Sequence, residues 1–86
     1  MATLERTLKA FANKRRLAIL KYLKSHTEAT VGELADSIKL SFRSTSKHLA
    51  VLSAVDIVEF DQRSKQIFYR LTSSPPAIIR KLLALI

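Results

Sequence analysis

The eight residues Ser41-Phe42-Arg43-Ser44-Thr45-Ser46-Lys47-His48 gather hydroxyls, two cations and an imidazole within about two helical turns. Serines near a histidine raise the question of nucleophilic hydrolysis. No acid stands close in sequence to orient His48, and nothing adjacent supplies an oxyanion hole. Paired carboxylates, a phosphate loop and a cluster of metal ligands are also missing, so an enzyme is not expected. The chemistry these residue types support is nucleic-acid recognition. The guanidinium fork of Arg43 matches O6 and N7 of guanine in the major groove of duplex DNA. Ser44, Ser46 and Lys47 suit bases or phosphates, and the small Ala50 lets a helix approach closely. A solvated, functionless helix face is the plain alternative for Arg43 and Lys47.

Other residues extend this candidate surface. Thr30 and Ser41 each stand where a helix opens, and the free amides and dipole of a helix start favour an anion. Arg63-Ser64-Lys65 places two cations on a hairpin tip, within reach of a phosphate or a minor groove. Glu59 and Asp61 beside that tip would repel phosphate unless paired, and Arg70 is the cation placed to pair with them. Phe42 borders the buried stripe of its helix and fits a core or staple role as well as contact with a thymine methyl. His48 points toward the buried side and reads as a packed, hydrogen-bonded ring. His26 stands alone before a turn. Two histidines and no cysteine do not make a metal site, so neither metal nor cofactor is expected.

Fifteen Lys and Arg against seven Asp and Glu give a net charge of +8, which favours a polyanionic partner. At 86 residues the chain makes one domain, spanning 1–86, with a small core and no disulfide to reinforce it. A second copy is the expected reinforcement. The opening Met1-Ala2-Thr3-Leu4-Glu5-Arg6 lacks a basic region followed by an apolar run, and no apolar stretch is long enough to span a bilayer. A cytoplasmic, nucleoid-associated protein without membrane contact is the resulting expectation.

The elements that must position these residues follow from periodicity and caps. Leu4, Leu8 and Phe11 mark a first helix. Asn13 caps a second, carrying Leu17, Ile19, Leu20 and Leu23, with Lys14, Lys21 and Lys24 on its solvent side. Thr30-Val31-Gly32-Glu33 is a capping box that opens a third, with Val31, Leu34, Ala35 and Ile38 on one stripe. After the tight joint Lys39-Leu40, Ser41 caps a fourth helix over 41–55. Its inward face holds Thr45, His48, Leu49, Leu52 and Val55, and Asp56 ends it in the left-handed conformation. Val58 to Gln62 and Gln66 to Leu71 alternate as two strands, with Phe60, Ile67 and Tyr69 expected to face the core. Ser74 caps a last helix with Pro75 in its first position, carrying Ile78, Ile79, Leu82, Leu83 and Ile86. The fold class is mainly α with a small β-hairpin wing. Three helices, a turn, a helix, a hairpin over 58–71 and a final helix make the winged helix-turn-helix order.

Asn13-Lys14-Arg15-Arg16-Leu17-Ala18-Ile19-Leu20 resembles the second-helix opening of ArsR-like transcriptional regulators. Val31-Gly32-Glu33-Leu34-Ala35 is similar to their first helix-turn-helix element. Leu40-Ser41 through Ser46-Lys47-His48-Leu49-Ala50-Val51-Leu52 is similar to their recognition helix. Ile57-Val58 through Ile67-Phe68-Tyr69-Arg70-Leu71 looks like their wing. The resemblance covers about two-thirds of the chain, Asn13 to Leu71. It implies binding of double-stranded DNA by a homodimer on a palindromic site, and it allows His48 a supporting phosphate contact. It also implies a dimer made by the first and last helices, about 3–12 and 75–86. Leu4, Leu8, Phe11, Ile79, Leu82, Leu83 and Ile86 are then the interface. Asp56 and Ser64 stand where the family carries glycine. The metal-sensing members carry cysteines in the third helix or acidic and histidine clusters in the last, and this chain has neither.

Two rival functions remain at this level. A winged helix can serve as a protein-contact module within a larger complex, and Val51, apolar and partly outward, keeps that reading open. Single-stranded RNA readers display exposed aromatics for stacking. The six Phe and Tyr of this chain fall mostly at positions the core needs.

Overall fold

Polar side chains set the helix starts. In the computed structural model, which describes residues 2–86, α1 spans Leu4–Phe11, α2 Lys14–Ser25, α3 Val31–Ile38 and α4 Phe42–Ala54. The Thr3 hydroxyl accepts from the Arg6 amide at 3.2 Å, and Asn13 Oδ1 accepts from the Arg15 and Arg16 amides at 2.9 and 3.0 Å. The Thr30–Glu33 capping box closes in both directions, at 3.2 and 2.8 Å. Ser41 Oγ accepts from the Ser44 amide at 3.1 Å. Each such cap satisfies an orphan amide and is worth about 1 kcal/mol.

The hairpin β2 (Val58–Arg63) and β3 (Gln66–Leu71) forms as expected, with Val58 opposite Leu71 and Arg63 opposite Gln66. A short strand β1, Ala29–Thr30, adds to the far edge of β3 and makes a three-stranded antiparallel sheet, ordered β1-β3-β2. Two residues carry no periodicity, so this strand had no sequence signal. The last helix, α5, spans Ala77–Ala84 and corrects the expected start. Pro76, not Ser74, stands at the cap, and no side chain closes it. The reason is Pro76 itself, which pushes the residue before it out of helical geometry, so Pro75 cannot open a helix.

Ile19 and Leu20 of α2, Leu34 of α3, Leu49 and Leu52 of α4, and Ile57 are fully buried together. Truncating one such Leu to Ala costs about 2–5 kcal/mol. Thr45 is equally buried, and its hydroxyl donates to the Ser41 carbonyl at 2.8 Å, so it carries no unmet polarity. Phe60 and Ile67 do not reach this core. They are 52% and 38% exposed, because the core takes Val58 from β2 and Tyr69 and Leu71 from β3 and leaves the rest of the hairpin at the surface.

Three cations of α2 close the C-terminal ends of three other helices. Arg15 Nη1 donates to the Ile38 carbonyl of α3 at 3.1 Å. Arg16 donates from Nε to Ala10 and from Nη2 to Lys9 in the last turn of α1, at 2.7 and 3.0 Å. Lys24 Nζ reaches the carbonyl oxygens of Leu83 and Ile86 at the end of α5, at 2.9 and 2.8 Å. Cations at helix C-termini satisfy orphan carbonyls and oppose the helix dipole favourably. Lys24, expected in solvent, thus anchors α5.

Lys39, Asp56 and Ser64 take positive φ, at 55, 60 and 57°. Asp56 and Ser64 do so where glycine is the usual solution. Lys39 ends α3 in the left-handed conformation, with the Leu40 amide bonded to the Ala35 carbonyl at 3.0 Å. This closes the turn between α3 and α4.

Candidate nucleic-acid interface

The inner face of α4 fixes what its outer face presents. Thr45, Leu49 and Leu52 are buried against the domain, so Arg43, Lys47 and Ala50 are turned to solvent. Among the described residues, neither Arg43 nor Lys47 forms a salt bridge or a side-chain hydrogen bond. Ser44 and Ser46 are half-buried beside them. Phe42 is 62% exposed in the first turn, which corrects the core or staple role.

His48 is half-buried, and its Nδ1 lies 3.2 Å from Arg16 Nη1. Arginine can only donate, so Nδ1 accepts and the ring proton sits on Nε2. Burial first, then the Arg16 and Arg15 charges, lower the His48 pKa below its ordinary value. The ring therefore stays neutral and keeps one donor for use outside. Arg16 is the residue that sequence reasoning missed. Its signal was present, since it follows the Asn13 cap by three residues, but three receptors on α1 and α4 cannot be read from spacing.

The hairpin resolves its own charges. Arg63 stands at the tip as expected, yet its guanidinium grips Glu28 with two bonds of 2.6 Å and Asp61 with one of 2.9 Å. It also lies 4.5 Å over the Phe68 ring. Arg70 holds Glu59 at 3.0 Å and bonds Asp61 as well. Arg63 holds the Glu28 carboxyl below the usual carboxylate range, and Arg70 with Arg63 does the same for Asp61. Glu59 and Asp61 are thus neutralised, as their position required, and Arg63 becomes a strap between hairpin and body. Lys65 is the tip cation without such a partner among the described residues.

Thr30, Val31, Gly32, Phe42, Lys65 and Ile67 line a concavity of about 300 Å³ between the start of α3, the start of α4 and the hairpin. The fold thereby brings Thr30, Phe42 and Lys65 together across distant stretches of chain. The Thr30 hydroxyl is engaged with the Glu33 amide as a cap.

The terminal helices divide their apolar residues. Phe11, Ile79 and Leu83, expected between two copies, are buried in the domain's own core, because a chain this small needs apolar side chains from both terminal helices to complete it. Leu82 and Ile86 are partly buried against that core. Leu4 and Leu8 are 59% and 42% exposed and flank a shallow concavity with Ala12. Ile78 of α5 and Leu85 just after it are exposed too. Among the described residues no three His, Asp or Glu side chains gather as a metal site, and no helix is long and apolar enough to cross a membrane.

Residues 11–59 match a family model described as a helix-turn-helix domain. The transcriptional activator HlyU of Vibrio cholerae is 42% identical over 67 residues, covering 78% of this chain and 61% of that protein. The chain belongs to the ArsR-like winged helix-turn-helix family. The crystal structure of NolR from Sinorhizobium fredii superposes with a TM-score of 0.81 at 34% identity, covering 94% of this chain and 77% of that one. A homodimeric winged helix-turn-helix DNA-binding domain from Mycobacterium bovis does so at 0.81 and 29% identity, covering 95% and 72%. In the family frame α3 and α4 are the helix-turn-helix and β2–β3 the wing. HlyU is a transcriptional activator, and the M. bovis domain is described as a possible ArsR-family transcriptional regulator. The chain spans about 61% of the length of its curated relative.

Proposed function

We propose that the chain regulates transcription as a homodimer on double-stranded DNA, with α4 in the major groove of a palindromic site. The observation that carries this reading is Arg43 and Lys47, exposed and without a partner among the described residues, on a Ser41-capped helix whose other face is locked by Thr45, Leu49 and Leu52. Arg43 reads a base edge, and Ser44, Ser46 and Lys47 contact bases or phosphates. Phe42, exposed at the helix start, meets a thymine methyl. Thr30, Ser41 and the Nε2 donor of His48 serve the backbone, as does Lys65 at the wing tip. Arg63 holds the wing at its angle. No metal or cofactor enters the reading.

The M. bovis relative is homodimeric by its description. Leu4 and Leu8 of α1, Ile78 and Leu82 of α5, and Leu85 and Ile86 just after it are the apolar side chains that the terminal segments leave wholly or partly uncovered. A two-fold dimer sets two copies of α4 about 34 Å apart, one turn of duplex, which is why a palindrome is expected. Such a protein works in the cytoplasm on the nucleoid. The rival reading, a protein-contact module, draws on Val51 and Phe42, which are 41% and 62% exposed on the same helix.

Selection of bound duplexes from a random pool, followed by titration at several salt concentrations, tests the proposal. Arg43→Ala should cost about 10- to 100-fold in affinity and relax preference at one base position. Lys47→Ala should weaken all sequences alike and reduce the salt slope by about 1. A salt-independent affinity, or a selected pool with no shared sequence, overturns it.

A further inference from the structure

The outer face of α2 carries a cationic groove that none of the preceding chemistry uses. Lys14, Ala18, Lys21 and Ser25 recur at i, i+4, i+7 and i+11 and form one stripe. Ile19, Leu20 and Leu23 on the opposite side are buried. With Arg15, Tyr22, His26, Ser37 and Ile38 the stripe bounds a concavity of about 420 Å³ between α2 and the end of α3. Its floor is apolar, made by Ala18, Ile38 and the Tyr22 ring. Tyr22 is stacked on His26 at 3.9 Å with the planes 7° apart. Its rim is Lys14, Arg15 and Lys21, and among the described residues no carboxylate lines it. Arg15 spends one guanidinium donor on the Ile38 carbonyl and keeps the rest.

Two neighbours fix where this groove points. Arg16, on the other side of α2 from the Lys14–Lys21 stripe, reaches His48 of α4. Lys24, on another flank of α2, is bonded to the end of α5. The groove therefore lies on a different flank of α2 from the residues that meet α4 and α5. A duplex on α4 and a second copy on α5 leave it open.

We propose that this groove docks an acidic peptide segment of another protein. DNA phosphates would satisfy the cations but have no use for an apolar floor, whereas an acidic segment with an apolar side chain uses both. Lys14 and Lys21 are two turns apart, about 10 Å along the axis, so carboxylates flanking one apolar residue can meet both.

The test uses a fluorescein-labelled peptide of alternating glutamate and leucine, a glutamine-for-glutamate version and a glutamate-only version, each titrated with the full chain. Binding should be retained when duplex DNA is already bound. The double variant Lys14→Glu/Lys21→Glu should lose more than tenfold in peptide affinity while keeping its duplex affinity within threefold. Lys14→Gln/Lys21→Gln should lose an intermediate amount with an unchanged melting curve, which separates binding from folding. Equal binding of the glutamine or glutamate-only peptide overturns the proposal. So does a loss of duplex affinity matching the loss for peptide, since the stripe would then be a second DNA contact.

Discussion

Arg16→Ala should destabilise this domain more than any other exposed or half-exposed cation, because one guanidinium joins three helices. Its bonds to Ala10 at 2.7 Å and Lys9 at 3.0 Å close the end of α1, and its bond to His48 at 3.2 Å ties α4 to both. A hydrogen bond from a charged donor contributes about 1.5–3 kcal/mol when buried, and partial exposure here reduces that to roughly 1 kcal/mol each. Ala10 itself is buried, so losing its partner adds a desolvation cost and brings the sum to about 2–4 kcal/mol. For a domain of this size that lowers Tm by roughly 10–25 °C. Arg16→Lys keeps the charge without the fork and should recover less than half. The second readout is His48. Its folded pKa lies below the unfolded value of 6.5, so the ring contributes stability above that value and loses it as pH falls through the lowered one. In Arg16→Ala the NMR titration of His48 should move up yet stay under 6.5, since burial is the larger cause. A Tm within a few degrees of the parent, or full rescue by lysine, would show that the three bonds do not act as the hub described.

Three further outcomes follow from the geometry. The Glu28 and Asp61 carboxyls are held below their ordinary range by Arg63 and Arg70, so the strap is intact above the unfolded carboxylate pKa and lost as pH falls through the lowered values. Amide exchange in the wing, corrected for intrinsic rates, should stay constant from about pH 8 to 5 and accelerate below about pH 4, whereas an unchanged rate under acid refutes the strap. Leu4→Glu/Leu8→Glu should convert dimer to monomer in sedimentation without lowering the monomer's stability, because both side chains lie outside the core. A variant that still sediments as a dimer removes α1 from the interface. Asp56→Gly relieves a left-handed backbone at φ 60° and should raise stability by about 0.5–1 kcal/mol in urea unfolding. The Thr72 hydroxyl bonds the Asp56 backbone oxygen at 2.7 Å and survives the change, so a destabilised variant would mean the carboxylate has a role of its own.

What the sequence determined by itself is whatever depends on near neighbours in the chain. Caps at Asn13, Thr30 and Ser41 act over two or three residues, and helix stripes repeat over four, so α1 to α4 and the outward Arg43 and Lys47 could be read directly. The left-handed Asp56 belongs to the same class. Tertiary structure alone decided everything that needs a partner far along the chain. Glu28 meets Arg63 across 35 positions and Lys24 meets Ile86 across 62, which is why a wing cation and a surface lysine proved to be straps. The same holds for the sorting of the terminal helices, where Leu8 and Phe11 share a periodicity but only Phe11 finds the core. Periodicity tells which residues share a face. Whether that face is covered depends on what the rest of the chain brings to it.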